Sequence, residues 1–155
     1  MKKLASFVLC LALATLAVGC KDNSRPADLP EDMSPCKITI TQEGQPLAQA
    51  TVELVYETQV KYTTSGTTDD SGVATMMTYG YAGAQQGTAK VVVRKLVTEG
   101  GSEGEDGEAG ELGEDFQVVD AKYGSADTTD LTITIGKDNV NETFEVGPAV
   151  HEKAK

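Results

Sequence analysis

Residues 36–56 read CKITITQEGQPLAQATVELVY, and their pattern sets the class of fold. Ile38 and Ile40 alternate with lysine and threonine, and the same period of two returns in the last seven residues, after a turn at 43–46. Alternation of apolar and polar residues places one face of a strand in a core and the other face in water. The stretch therefore predicts two half-buried strands that are joined by a corner.

The same kind of segment recurs along the chain. Further segments that alternate, or that are rich in β-branched residues, lie at 62–68, 73–78, 89–94, 131–135 and 144–146. Turn-forming residues separate them at Asp69–Gly72, Gly80–Gly87 and Gly136–Asn139. Short strands with turns at this spacing are typical of a sandwich. We predict an all-β, antiparallel Greek-key β-sandwich of about seven strands over residues 36–147.

Four short segments occur in an order that is found in a known family. They are Gly44–Val52 (GQPLAQATV), Thr68–Gly72 (TDDSG), Gly83–Val91 (GAQQGTAKV) and Tyr123–Leu131 (YGSADTTDL). The first three resemble motifs of carboxypeptidase regulatory-like domains, and the fourth resembles a late segment of small lipoproteins of this type. The resemblance implies a transthyretin-like (prealbumin-like) sandwich. It carries over no catalytic residue, because the catalytic residues of those carboxypeptidases lie outside this domain.

The resembling segments also have a physical interpretation. Gly44 and Gly72 would supply positive φ at tight turns, which glycine adopts at little cost. Leu47 and Ala50 would enter the core where the second strand begins. These residues specify a fold and carry no chemistry.

The first twenty residues predict export and lipidation. Two lysines precede an apolar run over 4–19, and small residues lead to Cys20. This is the order of a signal peptide, and the run is short for a bilayer span, which needs roughly 20 apolar residues. Ala17-Val18-Gly19-Cys20 resembles the lipobox of bacterial lipoproteins, which implies cleavage before Cys20 and diacylation of its sulfur. We predict that residues 1–19 are a signal peptide.

The two ends of the mature chain are predicted to be unpacked. Residues 20–35 contain three prolines and several acids, which favours a flexible tether. At about 3 Å per residue, such a tether could hold a domain some 40 Å from the bilayer. Lys21-Asp22 resembles the lysine-acid signals of lipoproteins on the outer face of the outer membrane. Residues 148–155 are predicted to be a charged tail that frays.

Residues 99–115 interrupt the strand pattern with eight acids and six glycines. We predict a disordered, solvated insertion here, since five glycines spaced by three without proline cannot support a collagen helix. The second interpretation is a cation-binding loop, because oxygen-rich segments suit Ca²⁺. Its candidate ligands are Glu103, Glu105, Asp106 and Glu108. They lack the regular order of acids that preorganises a calcium loop.

Charge and composition limit the partners. The net charge is −11, and loss of residues 1–19 removes two lysines and no acid, which leaves 11 basic against 24 acidic residues and a charge of −13. Such a chain repels nucleic acid and anionic headgroups, so membrane attachment would come from the lipid on Cys20. Any other partner would be an unidentified protein or glycan. The five tyrosines, three phenylalanines and no tryptophan weaken a carbohydrate-binding interpretation.

The cysteines and the single histidine offer little chemistry. Cys36 has no partner once Cys10 leaves with the signal peptide and Cys20 is lipidated, so it is either a buried inert thiol or the site of an intermolecular disulfide. His151 lies in the predicted tail, and no zinc-ligand spacing occurs. We therefore predict no catalytic residue, no cofactor and no enzymatic activity.

The predicted function is a non-enzymatic structural or interaction module of the bacterial cell envelope. The chain would be anchored by lipid in the outer membrane and displayed at the membrane surface. The alternative is a Ca²⁺- or glycan-binding accessory component of an uptake system. In either case the binding surface would lie on the Gly80–Gly87 loop or the acidic insertion.

Overall fold

The alternating segments form strands in the computed structural model, which describes residues 25–58, 60–101 and 113–154. A short 3-10 helix spans Ala121–Gly124. The strands are β1 (Cys36–Gln42), β2 (Gln45–Pro46), β3 (Thr51–Tyr56), β4 (Thr64–Thr67), β5 (Val73–Thr75), β6 (Met77–Thr78), β7 (Tyr81–Ala82), β8 (Gly87–Arg94), β9 (Leu96–Glu99), β10 (Glu114–Gln117), β11 (Thr132–Ile135), β12 (Val140–Glu145) and β13 (Glu152–Lys153).

Two main sheets enclose the core. The larger has the strand order β11-β8-β3-β4-β6-β7, and the smaller has the order β12-β1-β2, with β5 also paired to β1. The apolar residues of both sheets form one buried cluster, which includes Ile38, Ile40, Val52, Leu54, Val91, Val93, Ile133 and Ile135. The predicted all-β sandwich is confirmed. Within the described ranges these two sheets contain ten strands, of which seven have three or more residues, where about seven strands were predicted.

One strand pair departs from the antiparallel prediction. β1 and β12 run parallel, with Cys36 opposite Val140 and Thr41 opposite Glu145. Parallel neighbours need a long crossover, and here almost the whole domain lies between the two strands in sequence. The prediction of a purely antiparallel sandwich is therefore wrong for this pair.

The turn before β5 packs against the corner between β1 and β3. The hydroxyl of Thr68 donates to the carbonyl oxygen of Leu47 at 2.6 Å and accepts from the Ala50 N–H at 2.7 Å. The carbonyl oxygen of Gly72 accepts from the Ile40 N–H at 2.8 Å. The predicted positive φ is confirmed at Gly44 (74°) and Gly72 (76°), and Leu47 and Ala50 are buried as predicted. Two of the segments behind the family resemblance thus hold each other in place.

The segment before β1 packs on the domain, so the prediction of a flexible tether is wrong for residues 25–35. Leu29 is buried, and Ser34 exchanges two backbone hydrogen bonds with Ala84, at 3.0 and 2.9 Å. Gly83 lets Met33 come close, since a Cβ at Gly83 would lie 3.1 Å from the Cβ of Met33. The apolar residues among the prolines offset the cost of ordering the segment.

The C-terminal tail and the ends of the acidic insertion are also ordered. A third small sheet has the order β13-β10-β9, and the ring of His151 stacks on Phe116 with centroids 4.2 Å apart. The predicted frayed tail is therefore wrong for residues 151–154. Glu99 pairs with Glu114 across β9 and β10, so the predicted insertion at 99–115 is too long at both ends. Its central residues, 102–112, lie outside the described part of the chain.

Candidate functional site

A two-residue hairpin at the edge of the larger sheet places a tyrosine in an unfavourable backbone conformation. Met77 pairs with Ala82 and Thr78 with Tyr81, which leaves Tyr79 and Gly80 as the loop. Their φ angles are 49° and 81°. Positive φ at both loop positions is the type I′ turn, where asparagine, aspartate or glycine is usual. A tyrosine in this conformation costs about 1–2 kcal/mol.

The strained turn presents Tyr79 to solvent. Its side chain is 61% exposed, and that of Met77 is 42% exposed. The ring of Tyr62 lies beside that of Tyr79, with centroids 4.9 Å apart and planes tilted by 49°. These side chains border an open cavity of about 570 Å³. We call the residues that line it the tyrosine patch; they are Lys61, Tyr62, Thr63, Ser65, Met77, Tyr79 and Gly80.

The N-terminal segment contacts the rim of the tyrosine patch. The carboxylate of Asp28 accepts a hydrogen bond from the hydroxyl of Tyr62 at 2.6 Å and another from the ammonium group of Lys61. The Lys61 hydrogen bond holds the pKa of Asp28 below its usual value, and the bond to Asp28 raises the pKa of Tyr62. Asp28 is therefore ionised and Tyr62 neutral at pH 7. Because both partners of the ion pair are exposed, it contributes little to stability. The segment is held mainly by the buried Leu29 and by the two hydrogen bonds between Ser34 and Ala84.

Cations lie over the aromatic rings at this edge. The guanidinium of Arg25 is 5.5 Å from the centroid of the Tyr81 ring, and the ammonium nitrogen of Lys61 is 5.2 Å from that of Tyr62. Both distances fall within the range of cation–π attraction. The edge thus combines apolar ring faces, hydroxyl groups and positive charge, which suits binding of an amphipathic surface or ligand.

Sequence reasoning missed the central residues of this site. The Gly80–Gly87 loop is one of the two predicted binding loops, and of its residues only Gly80 lines the tyrosine patch. Gly83 and Ala84 are buried beneath the N-terminal segment. The available signal was the two tyrosines at 62 and 79. They become neighbours only through the pairing of β4 with β6, and the hairpin of β6 and β7 sets the turn that holds Tyr79.

The other predicted site residues lie outside the described residues. They are Cys20 and the candidate calcium ligands Glu103, Glu105, Asp106 and Glu108. Across residues 25–58, 60–101 and 113–154, no group of three or more His, Cys, Asp or Glu side chains is placed to hold a metal ion. Over the same ranges, no helix has the length and apolar character needed to cross a membrane.

Cys36 is buried at the start of β1 and forms no disulfide with any residue that the structure describes. Burial raises the pKa of its thiol to about 11. At pH 8 only about a thousandth of such a thiol is the reactive thiolate. This favours the predicted inert thiol over an intermolecular disulfide.

We expect the mature protein to show no reactive thiol when folded and one after unfolding. The reagent would be an aromatic disulfide at pH 8, with and without denaturant, and a Cys36→Ala variant would identify the thiol that appears. A thiol that reacts in the folded protein and disappears in Cys36→Ala would contradict the burial argument. A dimer on non-reducing gels that Cys36→Ala abolishes would support the disulfide instead.

No protein-family model and no curated protein matches the chain.

Proposed function

We propose that this protein is a lipoprotein of the bacterial cell envelope, acylated at Cys20, and that its sandwich is a non-enzymatic interaction module at the membrane surface. The observation that carries the proposal is the gathering of exposed apolar side chains at one edge of the larger sheet. Among the described residues, the most exposed large apolar side chains are Met77, Tyr79 and Leu96, and two of them lie in the tyrosine patch. Met77 and Tyr79 together offer a small apolar contact surface.

The conformation of Tyr79 supports an interaction role. A residue held in a costly conformation persists only where the surrounding structure or a function requires it. Asparagine would form the same turn at lower cost. In return, the side chain of Tyr79 gains the ring contact with Tyr62, while most of its surface faces solvent.

The alternative is an accessory component of an uptake system that binds a glycan or Ca²⁺. The glycan version is favoured by the tyrosine patch itself, where two tilted rings adjoin the hydroxyl groups of Thr63 and Ser65. Aromatic faces with a few polar groups are typical of small-molecule sites. The Ca²⁺-binding version depends on the predicted ligands within residues 102–112, which lie outside the described part of the chain.

Intact-protein mass spectrometry of the membrane fraction tests the proposal, with and without protease treatment of whole cells. We expect the mass of residues 20–155 plus acyl chains, and its loss after treatment would indicate display on the cell surface. The same mass protected from protease would place the protein inside the envelope, still as a lipoprotein. A chain that begins elsewhere and carries no lipid would overturn the proposal.

A further inference from the structure

We infer that the tyrosine patch rests on the surface of the membrane that anchors Cys20, so that the sandwich is held in one orientation rather than swinging on a long tether. The inference rests on the proposed function, because it requires the lipid on Cys20. Four features of the described residues support it: the attachment of the N-terminal segment, the position where that segment meets the fold, the side chains there, and the location of the acids.

The attachment of residues 25–35 leaves a short free link. Ser34 is bridged to Ala84, Leu29 is buried, and Asp28 is bonded to Lys61 and Tyr62. Only the five residue steps from Cys20 to Arg25 remain for reaching the lipid. At a maximum of about 3.6 Å for each step, they span about 18 Å. This is less than half of the roughly 40 Å predicted for a fully extended tether. Arg25 and the part of the fold that it contacts therefore stay near the bilayer.

The segment meets the fold at the strand edge that carries the tyrosine patch. Arg25 lies over the ring of Tyr81 in β7, the last strand at that edge of the larger sheet. Tyr81 follows the Tyr79–Gly80 turn directly, and Asp28 contacts two residues of the patch. A lipid on Cys20 would thus bring this edge to the membrane before any other part of the domain.

The side chains of the tyrosine patch suit the water–lipid boundary. Tyrosine is enriched there because its ring is apolar and its hydroxyl group stays hydrated. Met77 adds a flexible apolar side chain. The exposed, strained position of Tyr79 is explained if the ring enters this boundary.

The acidic insertion is attached at the opposite end of the larger sheet. Thr64 pairs with Thr78 and with Leu54, which places the patch where β3 ends and β8 begins. β9, which leads into the insertion, follows the other end of β8. Eight residues at 3.3 Å per step separate those ends by about 23 Å. The insertion holds eight of the 24 acidic residues, so docking through the patch keeps this part of the charge of −13 on the mature chain away from the bilayer.

A single tryptophan at position 79 tests the inference, since the chain contains none of its own. The mature lipidated protein with Tyr79→Trp would be reconstituted into phosphatidylcholine–phosphatidylethanolamine vesicles. The matched control is Leu96→Trp, on β9, where the native side chain is 53% exposed. We expect a blue shift of emission and quenching by brominated lipid at position 79, and neither effect at position 96.

Flotation of the same vesicles separates the two proposals. Protein that floats with the vesicles, with equal emission and no quenching at both positions, overturns the docking inference and leaves the lipid anchor intact. Protein from the membrane fraction that carries no lipid and does not float overturns the proposed function, and the inference with it. Emission at position 79 that responds to soluble peptidoglycan fragments but not to vesicles overturns docking in favour of a glycan site.

Discussion

Replacing Gly72 with alanine is expected to lower the free energy of unfolding by about 3 kcal/mol. Gly72 has a φ of 76°, and a Cβ at this position would lie 2.6 Å from the carbonyl oxygen of Ile40 and 3.2 Å from the backbone nitrogen of Leu47. Both are backbone atoms that cannot rotate away. The carbonyl oxygen of Ile40 also accepts the Leu47 N–H at 2.9 Å, so relieving the clash would disturb that bond.

The chain offers a matched control for this substitution. Gly44 has a φ of 74°, but a Cβ there would meet no atom within 4 Å. Gly44→Ala should therefore lower the free energy of unfolding only by the cost of a positive φ for alanine, about 1–2 kcal/mol. Urea unfolding followed by circular dichroism would compare both variants with the wild type, provided the slope with denaturant is unchanged. If both variants lost the same free energy of unfolding, a Cβ at Gly72 would not clash with the backbone of Ile40 and Leu47, and the prediction would be wrong.

A loss of this size is large for a domain of this length, whose total stability is typically 5–15 kcal/mol. Gly72 also lies where the two turn segments meet, so its replacement would loosen the corner at Leu47 as well as its own turn. We therefore expect Gly72→Ala to reduce the yield of folded protein, whereas Gly44→Ala leaves the yield near that of the wild type.

The strands could be predicted because their signal is local. Ile38 and Ile40, or Ala89, Val91 and Val93, show their buried face through a period of two in the sequence alone. The glycine turns were equally local, since positive φ limits the residue type. The parallel pairing of β1 with β12 was not predictable in this way, because it joins residues about a hundred positions apart.

The tyrosine patch could not be predicted for the same reason. Tyr62 and Tyr79 become neighbours only through strand pairing, and Asp28 reaches Tyr62 only because the N-terminal segment folds back on the domain. Composition suggested that residues 20–35 would stay extended, whereas Leu29 packs inside. A single buried leucine among prolines and acids gives no periodic signal, so the attachment of this segment is a property of the tertiary structure.

Cys20→Ala is expected to remove essentially all fatty acid from the protein. The variant would then be found as soluble protein or as uncleaved precursor, and the lipidated, membrane-bound form would be absent. Each buried methylene of an acyl chain contributes about 0.8 kcal/mol, and two chains are needed for stable anchoring. The tyrosine patch cannot replace them, because its few exposed side chains offer much less apolar area than two acyl chains, and the rest of the chain is acidic. Metabolic labelling with a radioactive fatty acid, followed by fractionation, measures both effects.

The other two cysteines are the controls for this experiment. Cys10→Ala changes a residue that leaves with the predicted signal peptide, and Cys36→Ala changes a thiol that is buried in the fold, so both variants should keep the label and the membrane location. Mass spectrometry of any Cys20→Ala protein left in the membrane would separate uncleaved precursor from processed chain. Label that persists in Cys20→Ala, or that disappears in Cys36→Ala, would contradict lipidation at Cys20. Residues 20–25 would then not connect the domain to a lipid, and nothing would hold the tyrosine patch against the membrane.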